Sequence, residues 1–258
     1  MSPVLSFSRV SYEYPGGRAA LHDVSFSVEA GESLALIGPS GAGKTTLLLH
    51  ANGLLRGRGE VRVGEEPVHR KNIPRIRARI GFVFQDPNDQ LFMPTVIEDV
   101  LFGPLNAGWE RLAAVERAAQ ILESFGLGGE LETSPDRLSL GQKKKAALAG
   151  VLIMNPELVI LDEPTANLDP GSRRRLIEDL KRLGGTRISA SHDLDFVWET
   201  CRRAVLLDKG SVVADGDCRE LLRDGKLLEA HGLEVPLSAR PAGGEGQADA
   251  APRRYPAS

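Results

Sequence analysis

Short runs of apolar residues alternate along the chain with stretches that have a helical pattern. The apolar runs cover residues 4–7, 24–28, 33–38, 80–84, 157–162 and 186–191. Several of these runs are apolar at consecutive positions, as are strands of a parallel sheet that helices cover on both sides. The pattern therefore predicts an α/β fold.

The strand pattern is interrupted between Gln85 and about Leu152. Helix-forming segments such as residues 109–126 fill this stretch, which predicts a helical subdomain at about residues 86–152, inserted between two halves of the α/β core. After His192 the alternation resumes with a helix, a hairpin around Lys209 and a final helix over residues 218–230.

The end of the chain has a different composition. Residues 237–258 are rich in Ala, Gly and Pro and contain few large apolar side chains, which predicts a disordered tail. A single folded domain is therefore expected over residues 1–236.

Composition and charge exclude several classes of protein. The 258 residues are 41% apolar and carry a formal net charge of −3, which argues against a chain held on nucleic acid or anionic lipid by bulk electrostatics. No window reaches the roughly 18 consecutive apolar residues of a membrane-spanning helix, and the N-terminus lacks a secretion signal, so a cytoplasmic chain is expected. Cys201 and Cys218 lack metal-ligand spacing, and we expect both to be reduced.

A glycine-rich segment directly after the run at 33–38 matches the P-loop pattern and precedes a helical stretch. It consists of Gly38, Pro39, Ser40, Gly41, Ala42, Gly43, Lys44, Thr45 and Thr46. Its glycines allow backbone N–H groups to turn inward around an anion, and the helix N-terminus adds positive potential. Lys44 would reach the terminal phosphates of a nucleotide, and the Thr45 hydroxyl could bind Mg²⁺.

Two carboxylates follow the apolar run at 157–162. Asp162 and Glu163 lie at the carboxyl end of a predicted buried strand, the edge at which α/β sheets bind ligands. Asp162 could hold Mg²⁺, and Glu163 could position and polarise an attacking water. Although adjacent strand residues point to opposite faces, a turn at the strand's end can direct both carboxylates to one site.

Four further motifs follow in a fixed order. They are Gln85 after the run at 80–84, LSLGQ at 138–142, ANLD at 166–169 and SHD at 191–193. With the P-loop and the acidic pair, this order resembles that of ABC ATPases over roughly residues 3–235. The resemblance implies a P-loop NTPase core with an N-terminal antiparallel β portion and an inserted α-helical subdomain, which hydrolyses ATP with Mg²⁺.

The resemblance also assigns roles to individual side chains. Lys44, Glu163, Gln85 and His192 would be catalytic, with Gln85 touching Mg²⁺ and the attacking water, and His192 hydrogen-bonding the terminal phosphate. Asp169 would contribute to ATP binding. An aromatic residue would stack on adenine; Tyr14 is favoured for this role over Tyr12 because it precedes Pro-Gly. The remaining histidines match no motif.

The LSLGQ segment implies that one chain is not sufficient. In the family it faces the nucleotide of the opposite subunit, so Ser139, Gly141 and Gln142 would act on the partner's ATP in a homodimer or in a heterodimer with a second ABC ATPase. The commonest family form has Gly in place of Leu140, although this position varies. The three lysines that follow, residues 143–145, are interpreted as a solvated helix face rather than a nucleic-acid patch.

Residues 85–108 are similar to the corresponding segment of energy-coupling-factor importers, especially the ATPases of cobalt and nickel uptake. The resemblance implies an integral membrane coupling subunit that docks near residues 85–108, a membrane subunit that binds the substrate, and a location at the cytoplasmic face of the cell membrane. Asp86, Asp89, Gln90, Leu91 and Phe92 would suit a basic helix with an apolar face. Alternatively, these side chains form a short helix that fills its own subdomain.

Three other functions remain open. The first is the ATPase of a vitamin importer of the same type, in which different vitamin systems share one coupling module. The second is a nucleotide-binding regulatory subunit without useful turnover, which would require that Leu140 disables the site. An ABC ATPase of DNA maintenance or of the ribosome is less compatible, because fewer than a hundred residues separate Lys44 from Ser139 and the chain holds one ATPase domain.

Overall fold

The structure is a computed structural model that describes residues 2–240. Its first elements are β1 (Leu5–Tyr14), β2 (Arg18–Val28), β3 (Ser33–Ile37), α1 (Lys44–Ala51), β4 (Arg58–Val63), β5 (Glu66–Pro67), α2 (Ile73–Arg79), β6 (Ile80–Val83), α3 (Val96–Asn106), α4 (Arg111–Ser124) and α5 (Leu140–Leu152). The remaining elements are β7 (Leu158–Asp162), α6 (Pro170–Arg182), β8 (Thr186–Ala190), α7 (Leu194–Thr200), β9 (Arg203–Asp208), β10 (Ser211–Asp217), α8 (Cys218–Leu221) and α9 (Gly225–Ala230).

Two sheets organise the molecule. The larger sheet has six strands in the order β10-β9-β3-β8-β7-β6, and its strands are parallel except for β10, which pairs antiparallel with β9 at one edge. The smaller sheet has the order β2-β1-β4-β5 and is antiparallel. This architecture confirms the predicted α/β core with an N-terminal antiparallel portion.

The larger sheet is buried on both faces. Along β3, Ala35 and Ile37 join a hydrophobic cluster with the helical subdomain, whereas Leu34 and Leu36 join a second cluster with β1, β2 and α1. Successive strand residues point to opposite faces, so this alternation places one core on each side of the sheet. Burial on both sides explains why the central strands have consecutive apolar residues.

Helices α3, α4 and α5 occupy the stretch where the strand pattern disappears from the sequence. The Thr95 side chain accepts from the Glu98 N–H at the start of α3. At the start of α5, Ser139 and Gln142 form a reciprocal capping box, in which Ser139 Oγ accepts from Gln142 N and Gln142 Oε1 accepts from Ser139 N. The caps fix where these helices begin, and the beginning of α5 is also the LSLGQ segment.

Some elements differ from the sequence prediction. The first predicted strand, 4–7, is the start of the ten-residue β1, which continues past an irregularity where Arg9 has a φ of 50°. Strand β4 was not predicted, because Val63 is its single buried residue and the others are half-buried or exposed. The predicted continuous final helix is wrong: it is divided into α8 and α9, because Asp224 caps a new helix at its N-terminus.

The C-terminal segment of the described chain packs against α7. Leu237–Ala239 form a short 3₁₀ turn, and the Ser238 N–H donates to Asp195 Oδ1 at 2.8 Å. The predicted tail therefore begins with an ordered turn, and its remainder, residues 241–258, lies outside the described residues. Cys201 and Cys218 are free and buried, as expected. Within residues 2–240, no helix has the length and apolar character needed to cross a membrane.

Candidate functional site

The glycine-rich segment wraps tightly between β3 and α1. Gly38, Gly41 and Gly43 have φ values of 149°, 79° and 105°, a region that favours glycine. A Cβ on Gly38 would lie 2.0 Å from the Leu207 carbonyl oxygen, and one on Gly43 would lie 2.6 Å from that of Ala20. Both the backbone conformation and the close packing therefore require glycine here.

Lys44 is buried at the start of α1, where its ammonium faces a carboxylate. Its Nζ donates to the carbonyl oxygens of Gly38 at 2.7 Å and Pro39 at 3.2 Å, and lies 3.7 Å from Glu163 Oε1. Burial lowers the pKa of Lys44, whereas the carboxylates of Glu163 and Asp162 oppose this shift. The loop carbonyls hold the ammonium at the base of the cradle, where a phosphate oxygen could replace them.

Glu163 is held at the carboxyl end of β7 by several contacts. Its φ of 44° is left-handed, and its N–H donates to the Ala190 carbonyl of the neighbouring strand at 2.9 Å. Glu163 Oε2 accepts from Ser191 Oγ and from the His192 N–H, both at 3.3 Å, and lies 2.9 Å from His192 Nδ1. Only 7% of Glu163 is exposed, so its carboxylate is fixed in direction.

Asp162 opens onto a separate cavity of about 400 Å³, which Thr45 and Gln85 also line. Burial raises the pKa of Asp162, and the adjacent Thr45 hydroxyl opposes this shift. Its Oδ1 is buried and has no hydrogen-bond partner among the described residues. An unsatisfied carboxylate oxygen beside a hydroxyl and an amide oxygen matches the donor set that Mg²⁺ prefers.

A cavity of about 690 Å³ brings together many of the sequence-predicted residues. It is lined by Tyr14, by residues 40–46 of the glycine-rich segment, and by Gln85, Glu163 and His192. The Tyr14 hydroxyl is hydrogen-bonded to Thr46 Oγ1 at 2.9 Å. Tyr12 instead packs its ring against His50 beside the second core, so Tyr14 is the tyrosine that lines the cavity.

Several cavity residues were not identified from the sequence. Arg18 and His22 of β2 line it, as does Lys209 at the turn between β9 and β10. They belong to no motif, and they reach the cavity because the antiparallel sheet and the β9–β10 hairpin fold beside the P-loop. Arg18 and Lys209 have basic side chains, so they add positive charge to the lining of the cavity.

Ser139, Gly141, Gln142 and Asp169 are not among the residues that line the large cavity of their own chain. Asp169 caps α6 through the Ser172 N–H at 3.0 Å. A Cβ on Gly141 would lie 2.9 Å from Ser172 Oγ, so glycine is needed where α5 approaches α6. Leu140 is the first residue of α5 and has no positive φ, so a leucine is compatible with the backbone at this position.

The prediction that residues 143–145 form a solvated face is wrong. Lys144 is only 4% exposed, and its Nζ donates to the Glu163 carbonyl oxygen at 3.0 Å. Lys145 forms an ion pair with Asp179 at 2.8 Å. Three consecutive side chains on a helix point in three directions, so a run of one residue type does not imply a uniform surface. The side chains of Lys143 and Lys145 are each only 15% exposed.

Residues 85–108 present an aromatic pair to solvent. Phe92 is 63% exposed and Phe102 is 46% exposed, and their rings meet edge to face with centroids 4.9 Å apart. Asp99 Oδ1 accepts from the N–H groups of Phe92 and Met93, both at 3.0 Å. Gln90 points inward, where its Nε2 donates to the Ala147 carbonyl oxygen. The segment is thus anchored to the protein while it exposes two aromatic rings.

Comparison with known proteins places this geometry in a family. Residues 21–166 match the family model described as ABC transporter. A putative ABC transporter ATP-binding protein of Gloeobacter violaceus is 51% identical over 91% of this chain and 97% of its own length. The energy-coupling factor transporter ATP-binding protein EcfA of Methanothermobacter thermautotrophicus is 43% identical over 89% of this chain and 76% of its own.

A solved structure has the same fold. It is that of cbiO1 from Clostridium perfringens, described as part of the ABC transporter complex cbiONQ, with a TM-score of 0.79, 34% identity and coverage of 89% of this chain and 94% of the other. The P-loop, the acidic pair and these similarities agree. The chain belongs to the family of ABC transporter ATP-binding proteins, as an ATPase that resembles the subunits of the energy-coupling-factor type.

Proposed function

We propose that this chain is the ATP-hydrolysing subunit of an energy-coupling-factor importer for cobalt or nickel ions. The observation that carries the ATPase assignment is the buried Glu163 carboxylate, held 3.7 Å from the Lys44 ammonium beside a glycine cradle. A carboxylate and a cation in one cavity are the two groups that phosphoryl transfer to water needs.

ATP would lie with its phosphates on residues 38–46 and its adenine on the Tyr14 ring. Backbone N–H groups of the cradle and the N-terminus of α1 suit the phosphate charges. Tyr14 lines the same cavity and offers an aromatic face of the size of a base. Arg18 and Lys209 also line the cavity, and their basic side chains would suit the charge of the polyphosphate.

Mg²⁺ would be held by Asp162, Thr45 and Gln85, which share the smaller cavity. The unsatisfied Asp162 Oδ1 supports this, since a buried carboxylate oxygen without a partner is costly unless a ligand satisfies it. When bound with ATP, Mg²⁺ would neutralise charge on the phosphate oxygens. The protein supplies few ligands, which is usual for a magnesium ion that accompanies a nucleotide.

In the hydrolytic step, Glu163 would accept a hydrogen bond from a water and direct its oxygen at the γ-phosphorus. As the new P–O bond forms, the bond to the β–γ bridging oxygen breaks and ADP leaves, while a proton of the water passes to the Glu163 carboxylate and from there to the phosphate product or to solvent. Lys44 would stabilise the charge that develops on the phosphate oxygens. His192, whose side chain is 58% exposed, could turn from Glu163 to the terminal phosphate.

The complete site would require a second copy of the chain. Ser139, Gly141 and Gln142 lie at the N-terminus of α5, where the helix dipole favours an anion, yet they are not part of their own chain's nucleotide cavity. A head-to-tail homodimer would bring them to the partner's ATP. Association on ATP and separation after hydrolysis would then be coupled to the chemistry.

A membrane coupling subunit would dock near residues 85–108, at the cytoplasmic face of the cell membrane. The exposed pair Phe92 and Phe102 supports this, together with the exposed carboxylates of Asp86 and Asp89. Apolar rings with acidic neighbours suit a basic helix that has one apolar face. Binding and hydrolysis of the nucleotide would move α5 relative to residues 85–108, and this segment would transmit the movement to the membrane subunit.

The transported ion is inferred from similarity alone, because the ATPase is not expected to touch it. The solved cbiO1 structure is described as part of the cbiONQ complex, and residues 85–108 resemble the segment found in cobalt and nickel systems. A separate membrane subunit would bind the ion. A vitamin importer of the same type is the alternative.

Glu163→Gln tests the proposal in the purified chain and in cells. The amide keeps the shape of the side chain but is a far weaker acceptor for the attacking water. We therefore expect kcat for ATP to fall about 100-fold or more, with ATP affinity unchanged. Uptake of radiolabelled Co²⁺ or Ni²⁺ by cells that express the full complex should stop.

Val213→Ser is the control, because it changes an exposed residue of β10. Its ATP hydrolysis and its uptake of the metal ions should equal those of wild type. Near-normal hydrolysis by Glu163→Gln would remove Glu163 from its assigned role. If the wild-type complex hydrolyses ATP but imports a vitamin and neither metal ion, the ATPase assignment survives and the substrate assignment fails.

A further inference from the structure

Lys144 is a buried cation that the hydrolytic scheme above does not use. It lies one turn into α5, the helix that begins with the LSLGQ segment, and only 4% of it is exposed. Its Nζ donates to the carbonyl oxygen of Glu163 at 3.0 Å. The same oxygen accepts from the Ala166 N–H at 3.1 Å, so two donors hold the Glu163 peptide from one side.

No carboxylate forms an ion pair with Lys144 in the part of the chain that the structure describes, residues 2–240. Burial lowers its pKa to about 8, although the carboxylates of Glu163, Asp86 and Asp162 favour the charged form. An ammonium with this little solvent and no direct counter-ion is destabilising compared with an apolar side chain of similar length. Stability alone therefore does not explain a lysine at this position, which points to a use in function.

The position of Lys144 joins three parts of the site. It lines the cavity of about 400 Å³ together with Asp162, Thr45 and Gln85, and with Ala166 from the ANLD segment. It belongs to the helical subdomain, whereas the carbonyl that it contacts belongs to the α/β core. Its hydrogen bond is therefore a direct link between the LSLGQ helix and the backbone of Glu163 in the same chain.

We infer that Lys144 is a positioning residue for ATP hydrolysis, which holds the Glu163 peptide in its left-handed conformation and ties it to α5. This inference rests on the proposed role of Glu163. The Glu163 side chain leaves a backbone with a φ of 44°, so a small rotation of the peptide would turn its carboxylate away from the attacking water. Rotation of α5 would move the Lys144 ammonium and release that peptide.

Lys144→Met in the full-length chain tests the inference, because it keeps the length of the side chain and removes the donor. We expect kcat for ATP to fall about 10- to 100-fold, the cost typical of a misplaced catalytic group, with KM and the affinity for a fluorescent ATP analogue within about 3-fold of wild type. Lys144→Arg, which keeps a cationic donor, should restore a large part of kcat.

Thermal unfolding separates positioning from a structural role. Since Lys144→Met removes a buried charge, its Tm should equal or exceed that of wild type. Lys143→Met is the matched control: it loses the same charge on the same helix, but its ammonium contacts Asn88 rather than Glu163, and kcat should be unchanged.

Three outcomes would overturn the inference. They are a kcat of Lys144→Met within 3-fold of wild type, a joint loss of Tm and ATP binding, and an equal loss of kcat in Lys143→Met. Glu163→Gln is measured in parallel. If Glu163→Gln is inactive while Lys144→Met is normal, only the role of Lys144 fails; if Glu163→Gln turns over normally, the proposed hydrolytic mechanism fails.

Discussion

Glu163 combines a strained backbone with a carboxylate that is almost fully enclosed. A left-handed φ of 44° is uncommon for a residue with a side chain, and such conformations occur where the surrounding structure imposes them. Here the Ala190 carbonyl, Ser191 and Lys144 impose it. Glu163 lines the large cavity and Asp162 the smaller one, so the two neighbouring carboxylates face different cavities.

His50 provides a pH test at the scale of one residue. It is buried in α1, its Nδ1 is 2.7 Å from the Thr46 carbonyl oxygen, and its Nε2 has no hydrogen-bond partner among the described residues. Burial lowers its pKa, so the unfolded chain takes up a proton near pH 6.5 before the folded chain does. The contribution of His50 to the free energy of unfolding is therefore fully present above pH 6.5 and is lost as the pH falls below this value.

We predict that His50→Gln costs about 1–2 kcal/mol in the free energy of unfolding at pH 7.5. The gap between wild type and variant should narrow as pH falls from 6.5 toward 5, as measured by urea unfolding of the ATP-free chain. The exposed His69→Gln serves as control and should show no such trend. A gap that stays constant across this range would contradict the assignment.

Site residues that belong to a local sequence motif were predictable, whereas site residues contributed by distant parts of the chain were not. Lys44 and Glu163 are specified by a strand, a turn and a helix N-terminus, all of which can be identified in a short stretch of sequence. Arg18 and Lys209 line the same cavity only because the second sheet and a hairpin pack beside the P-loop. The interpretation of Lys144 was wrong, because its helix face is determined by what α5 packs against.

At the scale of elements, residues 85–93 connect the nucleotide cavity to the surface. Gln85 lines both cavities, and Gln90 is held by the Ala147 carbonyl of α5. Phe92 lies at the other end of this short segment, where Asp99 of α3 fixes its backbone. A shift of α5 would therefore move Gln90 through its hydrogen bond, and Phe92 lies only two residues further along the chain.

Phe92→Ser should separate hydrolysis from membrane coupling. Since Phe92 is 63% exposed, its loss should change Tm little and leave the ATPase activity of the isolated chain within about 2-fold of wild type. Copurification with the membrane subunits should fall at least about 10-fold, as expected for an aromatic anchor. Val213→Ser is the control; equal copurification of both variants would place the docking surface elsewhere.

Elements were predictable where burial leaves a pattern. The central strands β3, β7 and β8 are apolar because helices cover them on both sides, and residues 86–152 lack that pattern because α3, α4 and α5 replace strands. Strand β4 is mostly polar, and its pairing with β1 creates a strand that its own sequence does not indicate. The division between α8 and α9 depends on one capping residue, Asp224.

At the scale of the whole molecule, the proposed composite site would combine the nucleotide cavity of one chain with the LSLGQ segment of another, because Ser139, Gly141 and Gln142 do not line the large cavity of their own chain. Ser139 caps the N-terminus of α5, and its neighbour Leu140 lines the smaller cavity of the same chain. The family resemblance predicts this division between two chains from the order of the motifs. Through the hydrogen bond of Lys144, a movement of the LSLGQ helix would also reach Glu163 in the same chain.

Site-directed cross-linking tests the composite site most directly. One copy carries Ser40→Cys and the other Ser139→Cys, both in the Glu163→Gln background. A short bis-maleimide is added with or without ATP. The native Cys201 and Cys218 are buried and should react little. We predict a cross-linked dimer that requires ATP and both engineered cysteines. A product that forms equally without ATP, or from Ser139→Cys copies alone, or that never forms, would contradict a head-to-tail homodimer that closes on ATP.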